Sequence, residues 1–289
     1  MSHLFCFGLG YSAGLLSQRL AANGWSISGT STTESGAARL GDSGAQGLVF
    51  DGASKHNNVT TALQSATHIL LSIPPAANGD PAQRVYGDDI AASPSIGWIG
   101  YFSTVGVYGD ADGGWVDEDT KALPASERGQ RRLDAEKDWL DLGRRSGKAV
   151  MIFRLPGLYG PGRSAIDDLK AGTARRIVKP GQVFNRVHVE DIATAVEASI
   201  TKPNAGRIYN VTDDEPAPPQ DVVAYGAELL GLPPPLDLDF ATVQLSPMAR
   251  SFYSENKRVS NTRMKAELGV RLAYPTYRQG LQGIARNSR

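Results

Sequence analysis

Three features of the sequence predict an α/β fold: a doubly wound parallel sheet with a smaller, mostly helical C-terminal lobe. Short apolar runs alternate with helix-like segments through the first half of the chain. A glycine-rich turn follows the first of those runs. Glycine makes up 32 of 289 residues, about 11% against a usual ~7%, and sits mostly at the ends of apolar runs, where strands turn into helices. The 41% apolar and 21% charged fractions supply a packed core and exclude a disordered or collagen-like chain. Thirty basic residues balance thirty acidic ones, which argues against holding nucleic acid or an anionic membrane by bulk charge. The single cysteine, Cys6, excludes an internal disulfide and a multi-cysteine zinc site. No apolar run is long enough to span a bilayer and no basic segment precedes a long apolar one, so a soluble cytoplasmic protein is expected.

The elements follow in order. Residues 4–7 read as a buried strand, and 12–23 carry Ala13, Leu15, Leu16 and Leu20 at helical spacing, with Gly24 as a stop. Further strands are predicted at 25–30, 48–51 and 68–73, the last ended by Pro74-Pro75 because proline cannot donate to a ladder. Strands at 96–103 and 149–154 flank a helix over 126–145. This rhythm implies right-handed βαβ units. Beyond Arg154 it breaks: a turn-rich segment at 157–162, a strand at 183–189, a helix at 191–200 and a strand at 207–211. A loop at 213–219, a helix at 221–230, Pro233-Pro234-Pro235 and a polar-amphipathic tail complete the chain, with Ser246-Pro247 reading as an N-cap and first helical residue. The expected division is a dinucleotide-binding domain of residues 1–158 and 184–212, and a substrate lobe of 159–183 and 213–289.

Gly8-Leu9-Gly10-Tyr11-Ser12-Ala13-Gly14 leaves a strand and opens a helix, the setting of the Gly-x-Gly-x-x-Gly/Ala fingerprint of Rossmann-type domains. Gly8 permits the tight turn, Gly10 lets backbone approach a pyrophosphate, and Ala13 is small enough for close helix–strand packing. Tyr11 and Ser12 open the helix, whose N–H groups and positive dipole end face the phosphates. Where a cofactor lacking a 2′-phosphate meets an Asp or Glu, the second strand here ends Thr30-Ser31-Thr32-Thr33, with Arg39 downstream. Hydroxyls at Thr30 and Ser31 suit a 2′-phosphate that a carboxylate would repel, so NADP(H) is favoured over NAD(H); the same hydroxyls also serve as turn formers.

Taken together, residues 8–14, Asp51, the run Tyr101-Phe102-Ser103-Thr104-Val105-Gly106-Val107-Tyr108-Gly109, and residues 154–162, 185–193 and 209–212 resemble the extended and atypical short-chain dehydrogenase/reductases, in particular the NAD-dependent epimerase/dehydratase-like group. The resemblance implies that Asp51 faces the adenine amino group, that Ser72, Ile73 and Pro74 line the adenosine side of the cleft, and that Pro156 packs near the nicotinamide. It places Thr104 where the family's Ser/Thr bonds the reacting oxygen. It also implies a homodimer through sheet-flanking helices.

The family's Tyr and Lys, four residues apart, fall here on Arg128 and Arg132, with Glu136 as the anchor. A guanidinium stays protonated near neutrality and cannot cycle a proton, but it donates bidentately to a carboxylate, phosphate or developing oxyanion. The arginines also fit an exposed charged helix face, Glu127 with Arg131 and Arg132 with Glu136. Gly157 stands where nucleotide-sugar members carry an Asn. Replacement acids are Tyr108, Tyr159, Asp117 and Glu118, the last two on a loop beyond Gly113-Gly114 that reads as a lid. Asn185 and Arg186 lie in the segment that flanks the family's substrate pocket, with Tyr159 as a further substrate residue, and Asp191 reads as a helix cap. His188 is expected to be structural, and the scattered histidines give no metal site.

Two readings follow. One is an NADP(H)-dependent oxidoreductase or epimerase/dehydratase-like enzyme on a small carbonyl or anionic substrate, with Thr104, Arg128, Arg132 and Tyr108 as its catalytic set. The other is a catalytically silent NADP(H)-binding sensor or interaction module.

Overall fold

In the computed structural model, which describes residues 1–287, the chain forms two compact units. The elements run β1 (His3–Phe7), α1 (Tyr11–Ala22), β2 (Ser26–Ser31), α2 (Glu34–Asp42), β3 (Gln46–Val49), α3 (Asn57–Ser65), β4 (His68–Leu71), α4 (Pro81–Ala92) and β5 (Trp98–Thr104). After a 3-10 turn at Val105–Tyr108 come β6 (Trp115–Val116), α5 (Glu127–Ser146), β7 (Ala149–Leu155), β8 (Gly157–Tyr159), α6 (Ala165–Lys170), β9 (Arg176–Val178) and β10 (Arg186–His188). The chain ends with α7 (Val189–Thr201), β11 (Ile208–Asn210), α8 (Pro219–Leu230), β12 (Asp237–Asp239), α9 (Pro247–Phe252), β13 (Arg258–Val259), α10 (Thr262–Leu268) and α11 (Tyr277–Asn287).

The first unit, Met1–Thr104 with Glu127–Arg154 and Ala193–Tyr209, carries a seven-stranded sheet of order β3-β2-β1-β4-β5-β7-β11. The pairs β2–β3, β1–β2, β1–β4 and β4–β5 are parallel, and the order reverses between β1 and β4. All five residues of β1 are buried, as a central parallel strand covered on both faces requires. Phe5, Phe7, Ile69, Leu71, Ile99 and Tyr101 point to one face, against Val59, Tyr86, Trp139 and Leu142 of α3, α4 and α5. Helix α1 lies beside α7, where Arg19 pairs with Glu197 at 2.5 Å. This is the doubly wound Rossmann-type fold expected from the sequence.

The second unit comprises Val105–Ser126, Leu155–Ile192 and the described residues from Asn210 onward. Helices α6, α8 and α11 share a core with Tyr159, Ala217 and Tyr277. Three two-stranded parallel ladders accompany them: β8 with β10, β9 with β12 and β6 with β13. Residues 157–162, expected as turns, therefore begin with a strand, and the strand expected at 183–189 is confined to β10, with α7 starting at Val189. Ser246 caps α9, accepting from the Ala249 N–H at 3.2 Å, as its position before Pro247 suggested. Asp191 is not a cap: it lies in the first turn of α7, and its carboxylate accepts from the Ala273 and Tyr274 N–H groups at 2.7 and 3.1 Å.

Candidate functional site

The reversal of strand order places the ends of β1 and β4 side by side, where open α/β sheets hold ligands. Gly8 has φ +84°, and a Cβ there would meet Ile73 Cγ2 at 2.6 Å, so glycine is required on both counts. Gly10 caps α1 without a side chain, and a Cβ there would meet nothing within 4 Å. Backbone N–H groups of the first turn of α1 thus open onto free space beside a helix dipole, a cradle that fits a dinucleotide diphosphate. Ala13 is fully buried, Ser12 is buried and Tyr11 is exposed. Ser72 and Ile73 follow β4 half-buried, and Pro74 is exposed. Asp51, exposed just past β3, accepts from the Ala53 N–H at 2.8 Å, and that bond holds its carboxyl below the usual range.

Thr30 does not suit the role given to it. It is 3% exposed, and its hydroxyl accepts from the Gly8 N–H at 2.9 Å while its carbonyl accepts from Leu9 at 3.1 Å. It braces the glycine turn from below. Ser31 is half-buried, its hydroxyl packed against Gly36 of α2, and Thr32 is exposed; Thr33 caps α2, accepting from the Gly36 N–H at 3.1 Å. Arg39 is exposed in the last turn of α2.

At the same carboxyl edge of the sheet, Thr104 closes β5 half-buried. Its neighbour Ser103 donates to Glu136 Oε1 at 2.5 Å. Glu136 is gripped by Arg154 through two bonds of 2.7 and 3.1 Å, with both side chains almost wholly buried. Arg132 does not pair with Glu136 as its spacing suggested. Its Nη1 donates to the Phe102 carbonyl at 2.5 Å and to the Tyr101 hydroxyl at 3.3 Å, and the guanidinium lies over the Tyr101 ring. Burial pushes the Tyr101 phenol up. Arg131 pairs with Glu127 at 2.8 Å, whereas Arg128, in the first turn of α5, is exposed and makes no hydrogen bond or ion pair among the described residues.

In the second unit Tyr108 is 3% exposed and its hydroxyl donates to Asn210 Oδ1 at 2.7 Å, so it is held as a packing residue rather than a proton donor. The loop expected to act as a lid is pinned down. Lys257 Nζ donates to Gly109 O at 2.5 Å, Arg258 donates to Gly113 O, and β6 pairs with β13. Glu118 accepts from the Asn210 N–H at 2.7 Å, and burial raises its carboxyl. Asp117 is held low by the Thr120 hydroxyl at 2.8 Å.

Pro156 is half-buried between β7 and β8. Tyr159 is buried, its ring edge-on to His188 at 5.2 Å, and Gly280 sits so close that a Cβ would meet its hydroxyl; burial pushes the phenol up. Asn185 is committed to backbone: its Nδ2 donates to Lys257 O at 2.9 Å and its Oδ1 accepts from the Val259 N–H at 2.8 Å. Arg186 donates to the Phe184 and Ala217 carbonyls at 3.0 and 3.1 Å. His188 is structural, accepting from the Glu190 N–H at 3.3 Å, with burial pulling it down to about 4. Lys257 and Asp213 carry no local sequence signal, because nothing local marks a lysine or aspartate that long-range folding will bury. Among the described residues no cluster suits a metal ion, and no helix is long and apolar enough to cross a membrane.

No protein-family model matches the chain. Protein YeeZ of Escherichia coli is 32% identical over 291 residues, covering 95% of this chain and 97% of its own length. The structure of a functionally unknown conserved protein from Silicibacter pomeroyi superposes with a TM-score of 0.90 at 48% identity, covering 100% of this chain and 99% of that one. At the level of fold, dTDP-glucose 4,6-dehydratase from Bacillus anthracis, solved in complex with NAD, matches with a TM-score of 0.80 at 17% identity, over 99% of this chain and 96% of that one. Near full-length similarity to YeeZ, on a Rossmann-type sheet with a glycine turn at its switch point, places the chain in the YeeZ family.

Proposed function

We propose that the protein is an NADP(H)-dependent oxidoreductase or epimerase/dehydratase-like enzyme acting on a small carbonyl or anionic substrate. The observation that carries this reading is the uncapped, open N-terminus of α1 behind a turn that only glycine fits. Gly8, Gly10, Tyr11, Ser12 and Ala13 hold the diphosphate, Asp51 with Ser72, Ile73 and Pro74 the adenosine, and Pro156 the nicotinamide end. Ser31 replaces Thr30 as the nearest hydroxyl for a 2′-phosphate, and the lack of a carboxylate at the end of β2 supports NADP(H) over NAD(H). The B. anthracis dehydratase binds NAD, so nucleotide choice belongs to this chain's own β2–α2 turn.

The nicotinamide supplies or accepts hydride when bound. The chain's part is binding and orientation. Thr104 positions the reacting oxygen. Arg128, exposed and without a hydrogen-bond or ion-pair partner among the described residues, meets substrate negative charge. Arg132 acts as a positioning residue: by holding the Phe102 carbonyl it fixes the end of β5 that carries Thr104. Tyr159 shapes the substrate lobe, residues 159–183 and 213–289, while Asn185 and Arg186, just outside those bounds, border it, Arg186 supplying a cation. With Tyr108 committed to Asn210, the proton comes from water or substrate.

The silent-sensor reading is favoured by that same commitment of Tyr108 together with arginine at both of the family's catalytic places. NADPH oxidation with a panel of small keto acids and aldehydes separates the two. An enzyme shows turnover that Arg128→Ala reduces about 10–100-fold, the loss of a charge-assisted contact to substrate. A sensor shows none at any substrate concentration.

A further inference from the structure

Beside the β8–β10 ladder the second unit holds the Arg186 guanidinium and the buried Asp213 carboxyl close together. Residues 213–215 are all acidic, yet two are already engaged: Asp214 by Lys265 at 2.5 Å and Asn261 at 2.7 Å, and Glu215 by Arg278 at 3.4 Å. Asp213, 2% exposed, accepts only the Glu215 N–H at 3.2 Å on Oδ1, and its Oδ2 is buried with no hydrogen-bond partner among the described residues. Its own N–H donates to the Arg186 carbonyl at 2.7 Å, which sets the two residues side by side. The Arg186 guanidinium lies over the Tyr277 ring at 5.8 Å and donates to main-chain carbonyls, with no carboxylate within 4 Å among the described residues. Asp213 is the opposing charge nearest Arg186, but no ion pair within 4 Å closes the two among the described residues, and a buried carboxyl oxygen left without a hydrogen-bond partner costs free energy that a ligand group between them relieves.

We propose that Arg186 and Asp213 form a two-point clamp for the carboxylate of a small substrate, Arg186 donating to one oxygen and the Asp213 carboxylic acid donating from Oδ2 to the other. This rests on the reading of the second unit as the substrate lobe. Burial raises the Asp213 carboxyl to about 8 against the opposing pull of Arg186, so it carries the needed proton at neutral pH. The ionisable groups facing it are Arg186 on β10, Tyr159 on β8, and Asp214 and Glu215 on its own loop. Tyr159 is pushed up by burial and does not titrate near neutrality.

The test uses pyruvate as the carboxylate probe, its binding to the full chain followed by ligand-observed NMR from pH 6.5 to 9.5, with NADPH binding measured in parallel. Pyruvate affinity is expected to fall about 30-fold across that range as the proton on Asp213 is lost at about 8. Asp213→Asn should keep the pH 6.5 affinity and lose the pH dependence, because an amide still donates. Arg186→Met should lose more than about tenfold. No binding at pH 6.5, a flat wild-type profile, or an unchanged profile in Asp213→Asn overturns the clamp. Should the Asn variant fail to fold, the wild-type profile decides alone. NADPH binding without pyruvate binding sinks the clamp and spares the dinucleotide reading; pH-dependent pyruvate binding without NADPH binding does the reverse.

Discussion

Gly8 and Gly10 lie two residues apart in one turn, and substitution separates their roles. At Gly8 any side chain meets both a left-handed backbone and Ile73, so Gly8→Ala should lose about 1–3 kcal/mol of stability by urea unfolding, with dinucleotide binding lost alongside. At Gly10 the space is empty and φ is −94°, so Gly10→Ala should stay within about 0.5 kcal/mol of wild type while weakening the nucleotide. Equal destabilisation by both would contradict a cradle at Gly10. Asp213 gives a pH-dependent counterpart. Its folded carboxyl holds its proton up to about 8, whereas the unfolded chain releases it near pH 4. The group therefore costs stability progressively as pH rises between those values, and the cost is complete above the folded pKa. Asp213→Asn should be more stable than wild type at pH 9, with the difference shrinking towards pH 5. A pH-independent difference would show that burial does not raise this carboxyl.

At the scale of elements, the Glu136–Arg154 bridge ties α5 to β7 in the first unit, and residues 257–259 tie β13 to Asn185 and β6 in the second. Glu136→Leu removes the carboxylate that grips the buried Arg154 and should cost about 3–5 kcal/mol in urea unfolding; a loss under about 1 kcal/mol would mean that the ion pair is balanced by its desolvation. Asn185→Ala removes both bonds from β10's approach to β13, and should speed hydrogen exchange at Val259 and across the β6–β13 ladder while sparing the sheet of the first unit. The large elements were legible because each announces itself locally: continuous burial for β1, helical spacing for α1, and a proline stop after β4. Ladders such as β8–β10 and β6–β13 were not, since two- or three-residue strands exist only through partners far along the chain. The site divides the same way. The glycine turn is a local pattern, and its geometry followed from it. Thr30, Arg132 and Tyr108 were misjudged because each is a polar group whose partner, Gly8 N–H, Phe102 O or Asn210, is chosen by tertiary packing.

For the molecule as a whole, nucleotide binding should appear as stability. NADPH at about 100 times its Kd should raise the unfolding free energy by about 2.7 kcal/mol if the native state alone binds it. The most direct measurement is a calorimetric titration of nucleotide-stripped protein with NADPH, with NADH run in parallel. Saturable binding of NADPH, tighter than that of NADH and abolished by Gly8→Ala, is the result expected of a dinucleotide enzyme whose β2–α2 turn accepts a 2′-phosphate. Equal affinities would remove the 2′-phosphate argument and keep the cradle. Binding of neither nucleotide would contradict the function proposed for this fold.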